Sequence, residues 1–410
     1  MTAVGVERRR LFDADFTRWY ASRSIGVAGT AASAVALPLL VYRTSASPAL
    51  TAAVVGLEAL PYLLFGLFAG AAADRFDRRR MMVAADIACA LMLATVPIAD
   101  LAGALSPWHV LAVAFGVGCG FCWFDAAAWG AFFRIVGKSG VTRANSIVWT
   151  TEVILGIAAP AAAGLLAAAT GPTAVLAVDA STYLVSAVLL AGMRTELATA
   201  APGARRRLRA EIAEGWRLLW GMPVVRTLVL AGFGLNLAVG GVLGLLVVHA
   251  DRALGIAPAD RRIGLLYAAG AVGSLVAALA LPRAARRFGQ GAVSIGSFGV
   301  FAVAVAWLAG TATFAGALAA WTVWSAARLA VNANGITVRQ LLTPDEFQGR
   351  VNTTGRMVAW GGTPFGALLG GMAAGAYGIR VAYLLLAAPA AIGLVALLAS
   401  PVRGLRLPVD

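Results

Sequence analysis

The chain is dominated by apolar runs that are each long enough to cross a lipid bilayer. About 20 helical residues cover the hydrocarbon core of a membrane. Charged residues make up only 13% of the chain, about half the share of a typical soluble domain. The sequence therefore predicts an all-α integral membrane protein with twelve transmembrane helices, at about residues 17–42, 50–71, 81–101, 108–133, 146–169, 173–193, 227–249, 263–282, 291–309, 313–337, 354–376 and 380–400.

Basic residues are distributed unequally between the two sides of the predicted membrane. An even number of spans places both termini on one side. That side holds 24 of the 33 basic residues, the opposite loops hold five, and four lie within or at the edge of spans. Because such an excess marks the cytoplasmic side, we expect both termini in the cytoplasm. The net charge of +14 then follows from topology and from contact with anionic lipid, and we expect no nucleic-acid partner.

The longest polar interruption, at 194–226, divides the spans into two groups of six. We predict an N-terminal six-helix bundle at 1–193 and a C-terminal six-helix bundle at 227–410. The cytoplasmic linker between them contains a short amphipathic helix whose Trp216 and Trp220 suit the lipid headgroups. A plain tether between the two halves is the favoured interpretation of this segment, with lipid contact as an addition.

A short motif recurs at about half the length of the chain. Arg143-Ala-Asn145 is followed by Pro160, and Arg350-Val-Asn352 is followed by Pro364. Each copy opens the fifth span of its half. Repeats of this parallel kind place the substrate site between the two halves.

The loop between the second and third spans is short and densely charged. It resembles the signature loop of the major facilitator superfamily, in which Gly is followed by Asp-Arg four residues on and then by Gly-Arg-Arg or Gly-Arg-Lys. Asp77 takes the place of the usual glycine. The matching residues are Gly70, Asp74, Arg75, Arg78 and Arg79. The resemblance implies the major facilitator fold, with twelve helices in two pseudo-symmetric six-helix bundles.

The same resemblance implies a gate on the cytoplasmic side. In the superfamily the loop Asp caps the start of the eleventh helix, and a loop Arg pairs with an Asp low on the fourth helix. Carried onto this chain, Asp74 faces the helix start near residues 350–354, and Arg78 pairs with Asp125. The expected gate residues are Gly70, Asp74, Arg75, Arg78, Arg79, Asp125 and Arg356.

Five acids lie inside predicted spans, where an ionisable side chain is costly and is a functional candidate by default. They are Glu58, Asp86, Asp125, Glu152 and Asp179, all in the first half. Glu58 lies roughly 12 Å from the nearer end of its span. It suits proton uptake and release or substrate contact, although a neutral carboxyl bonded to a neighbouring helix would also fit. Glu152 carries the same two readings, and for Asp179 an anchor for helix packing is favoured.

Two arginines, Arg23 and Arg328, also lie inside spans and can pair with an acid or bind an anionic substrate. The aromatic residues Tyr62, Trp123 and Trp324 are predicted to line a central cavity, with helix packing as the other reading for the two tryptophans. Trp19 and Trp108 are expected to lie at the membrane–water interface.

Three further stretches, at 36–41, 57–61 and 343–350, resemble bacterial exporters of the enterobactin and macrolide efflux branch. The resemblance implies a secondary active transporter in the bacterial inner membrane that exports a small amphipathic molecule in exchange for protons by alternating access. The alternative is proton-coupled import of a small anionic metabolite, as Arg23 and Arg328 would allow. We expect partners limited to substrate and lipid, and a monomer.

No nucleophile–base pair or metal-ligand cluster is recognisable in the sequence, so we expect neither an enzyme nor a metal site. No cofactor is expected beyond the transported proton. The three cysteines, at 89, 119 and 122, lie in predicted spans and are interpreted as small packing residues.

Overall fold

The computed structural model describes residues 13–73, 75–137, 140–195, 197, 216–258, 260–344 and 348–407. The regular structure of these residues is helical. The first six helices are α1 (Ala14–Ser45), α2 (Pro48–Ala73), α3 (Arg78–Leu101), α4 (Pro107–Val136), α5 (Val141–Thr170) and α6 (Pro172–Ala191). They are followed by α7 (Pro223–Arg252), α8 (Arg262–Phe288), α9 (Gln290–Gly310), α10 (Phe314–Leu342), α11 (Gln348–Trp360), α12 (Gly362–Tyr377) and α13 (Ile379–Leu398).

Eleven helices within the described residues are long and apolar enough to cross a membrane. The span predicted at 354–376 is divided between α11 and α12, which meet at Gly361. The Gly361 N–H still donates to the carbonyl of Met357, so the chain keeps a helical course through the junction. The two helices together cover the predicted span, and the predicted all-α membrane fold is confirmed.

The helices pack as two bundles, α1–α6 and α7–α13. Trp19 belongs to the interior of the first bundle, where it is completely buried between Phe16 and Phe132. The prediction that the Trp19 side chain lies at the membrane–water interface is therefore wrong. Trp108, in contrast, is 68% exposed.

The two bundles touch closely at one end of the molecule. We call this end the opposite face, and the end where α1 begins and α13 ends the terminal face. At the opposite face Gly164 of α5 meets Gly264 of α8, and a Cβ atom on Gly164 would lie 2.8 Å from the Gly264 Cα. A Cβ atom on Gly371 of α12 would lie 2.8 Å from the Ala52 Cβ of α2. Backbones approach this closely only where side chains are small.

Polar contacts reinforce the closure at the opposite face. The Tyr42 hydroxyl of the first bundle donates to the Asp251 carboxylate of the second at 2.6 Å. Arg252 donates to the carbonyl of Ala46 at 3.3 Å. The two bundles are therefore in direct contact at the opposite face.

Replacing Gly264 with Val should weaken this contact, because a Cβ atom there would lie 2.9 Å from the backbone of Gly164. Ser274→Cys, inside the bundle interface, serves as the reporter in every protein compared. We expect an impermeant maleimide applied to the opposite face to label this cysteine several-fold faster when Gly264→Val is present than when it is absent. The measurement uses vesicles of both orientations and a protein whose three cysteines are replaced by serine. Gly296→Val is the matched control, because a side chain there meets open space. Equal labelling rates in all three proteins would contradict the prediction.

Candidate functional site

Three adjoining cavities lie between the two bundles. The first, of about 260 Å³, is nearest the terminal face, the second has about 300 Å³, and the third, of about 290 Å³, lies toward the opposite face. Phe121, Asn236 and Trp360 line both the first and the second cavity. Glu58 lines both the second and the third. The cavities therefore form a row along the bundle interface.

Arg23 of α1 is the centre of a buried ion network at the first cavity. Its Nε donates to the Glu152 carboxylate of α5 at 2.5 Å, and its Nη2 lies 3.2 Å from the Asp125 carboxylate of α4. The guanidinium also lies 4.7 Å from the ring centroid of Trp129. The Arg23 side chain is 9% exposed. Because an unpaired charge at this depth is costly, these partners hold α1, α4 and α5 together.

The second oxygen of Asp125 faces the other bundle. The Tyr62 hydroxyl donates to it at 2.9 Å. Arg356 of α11 donates to the Tyr62 hydroxyl at 2.5 Å, and its Nη2 lies 3.7 Å from the same Asp125 oxygen. The Arg356 guanidinium also covers the rings of Tyr62 and Trp360. Asp125 thus has partners in both bundles, and the two arginines balance the two acids, Asp125 and Glu152.

The predicted pairing of Arg78 with Asp125 differs from the structure. Arg78 donates from Nε to the Ala73 carbonyl and from Nη1 to the Gly130 carbonyl, each at 2.9 Å. Gly130 lies five residues beyond Asp125 on α4, which is about 7.5 Å nearer the terminal face. Arg78, the first residue of α3, reaches that level, whereas Asp125 lies deeper beside Arg23.

Asp77, the departure from the superfamily pattern, caps the start of α3. Its carboxylate accepts hydrogen bonds from the backbone N–H groups of Arg79, at 2.8 Å, and Arg80, at 3.3 Å. An Asp at this position satisfies amides that a glycine would leave open. The Arg79 guanidinium donates to the Met193 carbonyl at 2.6 Å, which fixes α3 to the end of α6.

The other predicted gate residues lie at the same end. Arg75 is exposed, and a side chain at Gly70 would meet open space. Asp74 and the side chain of Arg350 lie outside the described residues, so the predicted contact of the loop with the start of α11 stays a prediction.

Glu58 occupies the junction of the second and third cavities. Its carboxyl has no hydrogen bond or ion pair to any residue that the structure describes. A Cβ atom on Gly118 of α4 would lie 3.0 Å from the Glu58 Cα, so this glycine lets α4 pack directly on the α2 backbone. The carboxyl is therefore held beside α4 and faces the cavities, without the bond to a neighbouring helix that a purely structural carboxyl would make.

Asp179 and Asp86 are bonded inside the first bundle. Asp179 accepts hydrogen bonds from the hydroxyls of Ser33 and Thr182. Asp86 accepts from the Ser186 hydroxyl at 2.5 Å. Neither acid lines any of the three cavities. These contacts connect α6 to α1 and α3, in line with the packing role favoured for Asp179.

Arg328 faces the third cavity from α10. Its guanidinium lies 5.6 Å from the ring of Trp324, and its buried Nε has no hydrogen-bond partner in the described structure. Trp324 stacks on Trp321 at 4.6 Å, and both line this cavity. Trp123 lines none of the three cavities.

Sequence reasoning did not assign several cavity residues, although helical spacing points to some of them. Two of these aromatic residues, Trp149 and Trp360, lie three or four positions from Glu152 and Arg356 and so share their helix faces. Phe298 and Tyr267 have no such neighbour in the sequence. Asn236 also lines the first two cavities, and no sequence signal marks it.

Replacing Arg23 should destabilise the protein more than replacing Arg356. Arg23→Gln leaves two acids without their main partner, and removing one member of a buried ion pair costs about 3–5 kcal/mol. Arg356 is 34% exposed, and Asp125 keeps Arg23 and Tyr62 without it. We expect thermal unfolding in detergent to show a larger fall in Tm for Arg23→Gln.

Adding Glu152→Gln to Arg23→Gln should recover part of that loss, because one uncompensated acid is removed. Arg283→Gln on the exposed side of α8 is the control. Equal Tm values for Arg23→Gln and Arg356→Gln would show that the network does not carry this stability.

Solved transporters share the fold. The nucleoside transporter NupG superposes with a TM-score of 0.75 at 11% identity, covering 95% of this chain and 99% of that chain. A bacterial homologue of the human lysosomal transporter Spinster, in an inward-facing and occupied conformation, gives 0.71 at 16% identity, covering 94% and 95%. At such low identity these likenesses establish the fold alone.

Curated relatives match parts of the chain. The multidrug efflux pump Tap of Mycolicibacterium fortuitum is 32% identical over 212 residues, 50% of this chain and 51% of the relative. Macrolide efflux protein A of Streptococcus pyogenes is 27% identical over 135 residues, 33% of each protein. The chain thus spans about half the length of the multidrug pump that it matches.

A family match covers nearly the whole chain. Residues 11–407 match the family described as transmembrane secretion effector. The chain therefore belongs to the transmembrane secretion effector family, a group of major facilitator superfamily transporters.

Proposed function

We propose that this transporter is a proton-coupled exporter of a small amphipathic molecule, such as a drug, an antibiotic, a siderophore or a natural product, and that it works by alternating access. The observation that carries the proposal is the carboxyl of Glu58, which faces two cavities between the bundles and has no hydrogen-bond or ion-pair partner among the described residues. The names of the relatives, a multidrug pump and a macrolide efflux protein, support the direction of transport.

Glu58 is suited to exchange because its carboxylate can accept a proton or a substrate group, one at a time. An ionised carboxylate with nothing bound to it is costly in a buried position. Burial therefore favours the states in which Glu58 holds either a proton or a cation. Tyr62 lines the second cavity and Tyr267 lines the third, so each lies in a cavity that Glu58 also lines. A substrate that binds Glu58 then displaces the proton, as antiport requires.

The contacts between the bundles support alternating access. The direct contact at the opposite face is made by small residues and two polar contacts, and the first cavity lies toward the terminal face. Rocking of the bundles would break this contact and narrow the space beside Asp125 and Arg356. The substrate site would then be open to one side of the membrane at a time.

The proposal extends to topology. We place the protein as a monomer in the bacterial cytoplasmic membrane with both termini cytoplasmic, which makes the terminal face the cytoplasmic one. The bundles at 1–193 and 227–410 are joined by a cytoplasmic linker at 194–226, most of which lies outside the described residues. Trp216 and Trp220, which stack at 5.1 Å and are about half exposed, suit the headgroup region.

Glu58→Gln should abolish accumulation of ethidium or erythromycin driven by a pH gradient in inverted vesicles. The amide keeps the shape of the side chain but cannot exchange a proton. Asp100→Asn, at an exposed acid near the end of α3, is the matched control and should transport like the wild type. If Glu58→Gln accumulates substrate as the wild type does, Glu58 is not the coupling residue and Glu152 is the next candidate. If wild-type accumulation does not depend on the gradient, the exporter proposal fails.

A second candidate function is proton-coupled import of a small anionic metabolite. The observation in its favour is the Arg328 guanidinium, which faces the third cavity and whose Nε donates to no described residue. Alkalinisation of the medium when an anionic metabolite is added to cells would favour import. Gradient-driven accumulation in inverted vesicles would favour export.

A further inference from the structure

The third cavity has opposite charges on its two sides. Glu58 reaches it from α2 of the first bundle, and Arg328 reaches it from α10 of the second. Between them, the cavity wall includes the hydroxyl-bearing residues Ser274, Ser325 and Tyr267. The third cavity, of about 290 Å³, is therefore lined by one acidic and one basic side chain that come from different bundles.

Within the part of the chain that the structure describes, neither Glu58 nor Arg328 has an ion-pair partner, whereas Arg23 at the first cavity has two. Arg328 makes no ion pair or hydrogen bond with a described residue and rests on the ring of Trp324. The acids of the second bundle that the structure describes are engaged elsewhere, Asp251 with Tyr42 and Asp260 with Arg262. A cation held in an apolar interface in this way is a strong binding group for an anion.

The rest of the third cavity suits an apolar body. Trp321 and Trp324 are stacked and form part of its wall, and the ring of Tyr267 faces it from α8. Aromatic side chains offer large contact areas to apolar ligand groups. The cavity thus combines an anion-binding group, a cation-binding group and an aromatic wall.

We propose that the third cavity binds a zwitterionic amphipathic molecule, with its carboxylate or sulfonate on Arg328, its amine on Glu58 and its apolar body on the tryptophans. The inference rests on the proposed function, because an amine and a proton competing for Glu58 are what couple export to proton entry.

Molecules with one charge fit this cavity less well. A simple anion at Arg328 would be repelled by Glu58 when Glu58 is ionised. If the anion bound only when Glu58 is protonated, anion and proton would cross the membrane together, which is cotransport and not exchange. A simple cation at Glu58 would be repelled by Arg328. A zwitterion satisfies both groups at once, so we expect singly charged analogues to bind this cavity more weakly than the zwitterion.

Equilibrium dialysis of labelled probes against the purified full-length protein tests the inference. The probes are 2-naphthylalanine, its methyl ester, its N-acetyl derivative and the doubly blocked compound. A second set built on glycyl-2-naphthylalanine adds one residue, about 3.5 Å, between the charges. We expect a zwitterion of at least one set to bind the wild type about tenfold or more tighter than the doubly blocked compound.

The variants separate the two charges. Glu58→Gln should remove the advantage of the free amine and keep that of the free carboxylate. Arg328→Gln should do the reverse, and Arg328→Lys should keep part of the preference for the carboxylate. Arg283→Gln and Asp100→Asn, which alter exposed charges, should bind like the wild type. Their unchanged binding would show that the site variants act locally.

Any of three results would overturn the inference. The wild type would bind none of the probes, or would bind the doubly blocked compounds as tightly as the zwitterions in both sets. As the third result, Arg328→Gln would retain the full preference for the carboxylate. Vesicle transport distinguishes this failure from that of the proposed function. If ethidium export depends on the gradient but the probes show no preference for the zwitterion, only the inference about the third cavity is refuted. If the preference depends on Arg328 but no export depends on the gradient, only the proposed proton coupling is refuted.

Discussion

The cost of holding a charge inside a membrane governs the interior of this protein. Arg23 is buried among apolar helices and is stabilised by two carboxylates from two other helices and by an aromatic ring. Three helices of the first bundle are thereby fixed in depth and rotation. The rotation of α4 in turn presents the second oxygen of Asp125 to the bundle interface, where Tyr62 and Arg356 meet it.

This arrangement makes a contact between the bundles that can break at low cost. If Arg356 moves away with the second bundle, Asp125 keeps Arg23 and Tyr62, which both belong to the first bundle. Arg356 lies on two aromatic rings and is about one-third exposed, so water can replace Asp125 as its partner. A contact of this kind favours one arrangement of the bundles without locking it, which alternating access requires.

The sequence was sufficient to predict the spans and the intramembrane charges, because both depend on local composition. It could not assign the partners of those charges. Arg78 and Asp125 look like a pair by resemblance, but Asp125 lies about 7.5 Å deeper than the carbonyl that Arg78 reaches. Trp19 lies near a predicted membrane boundary, yet α1 is rotated so that this side chain enters the bundle. Depth and rotation are set by contacts between helices, and single-sequence patterns do not contain them.

The ionisable side chains of the first and third cavities differ in their position along the bundle interface and in their partners. The first cavity, nearest the terminal face, is lined by the paired groups Arg23, Asp125, Glu152 and Arg356 and also by Arg339. Glu58 and Arg328, which form no ion pair with any described residue, line the third cavity, next to the close contacts at the opposite face. In the proposed transport cycle, a ligand in the third cavity would contact both bundles beside the contacts that must break for the opposite face to open. Charge recognition in this cavity would therefore act more directly on opening than recognition in the first cavity.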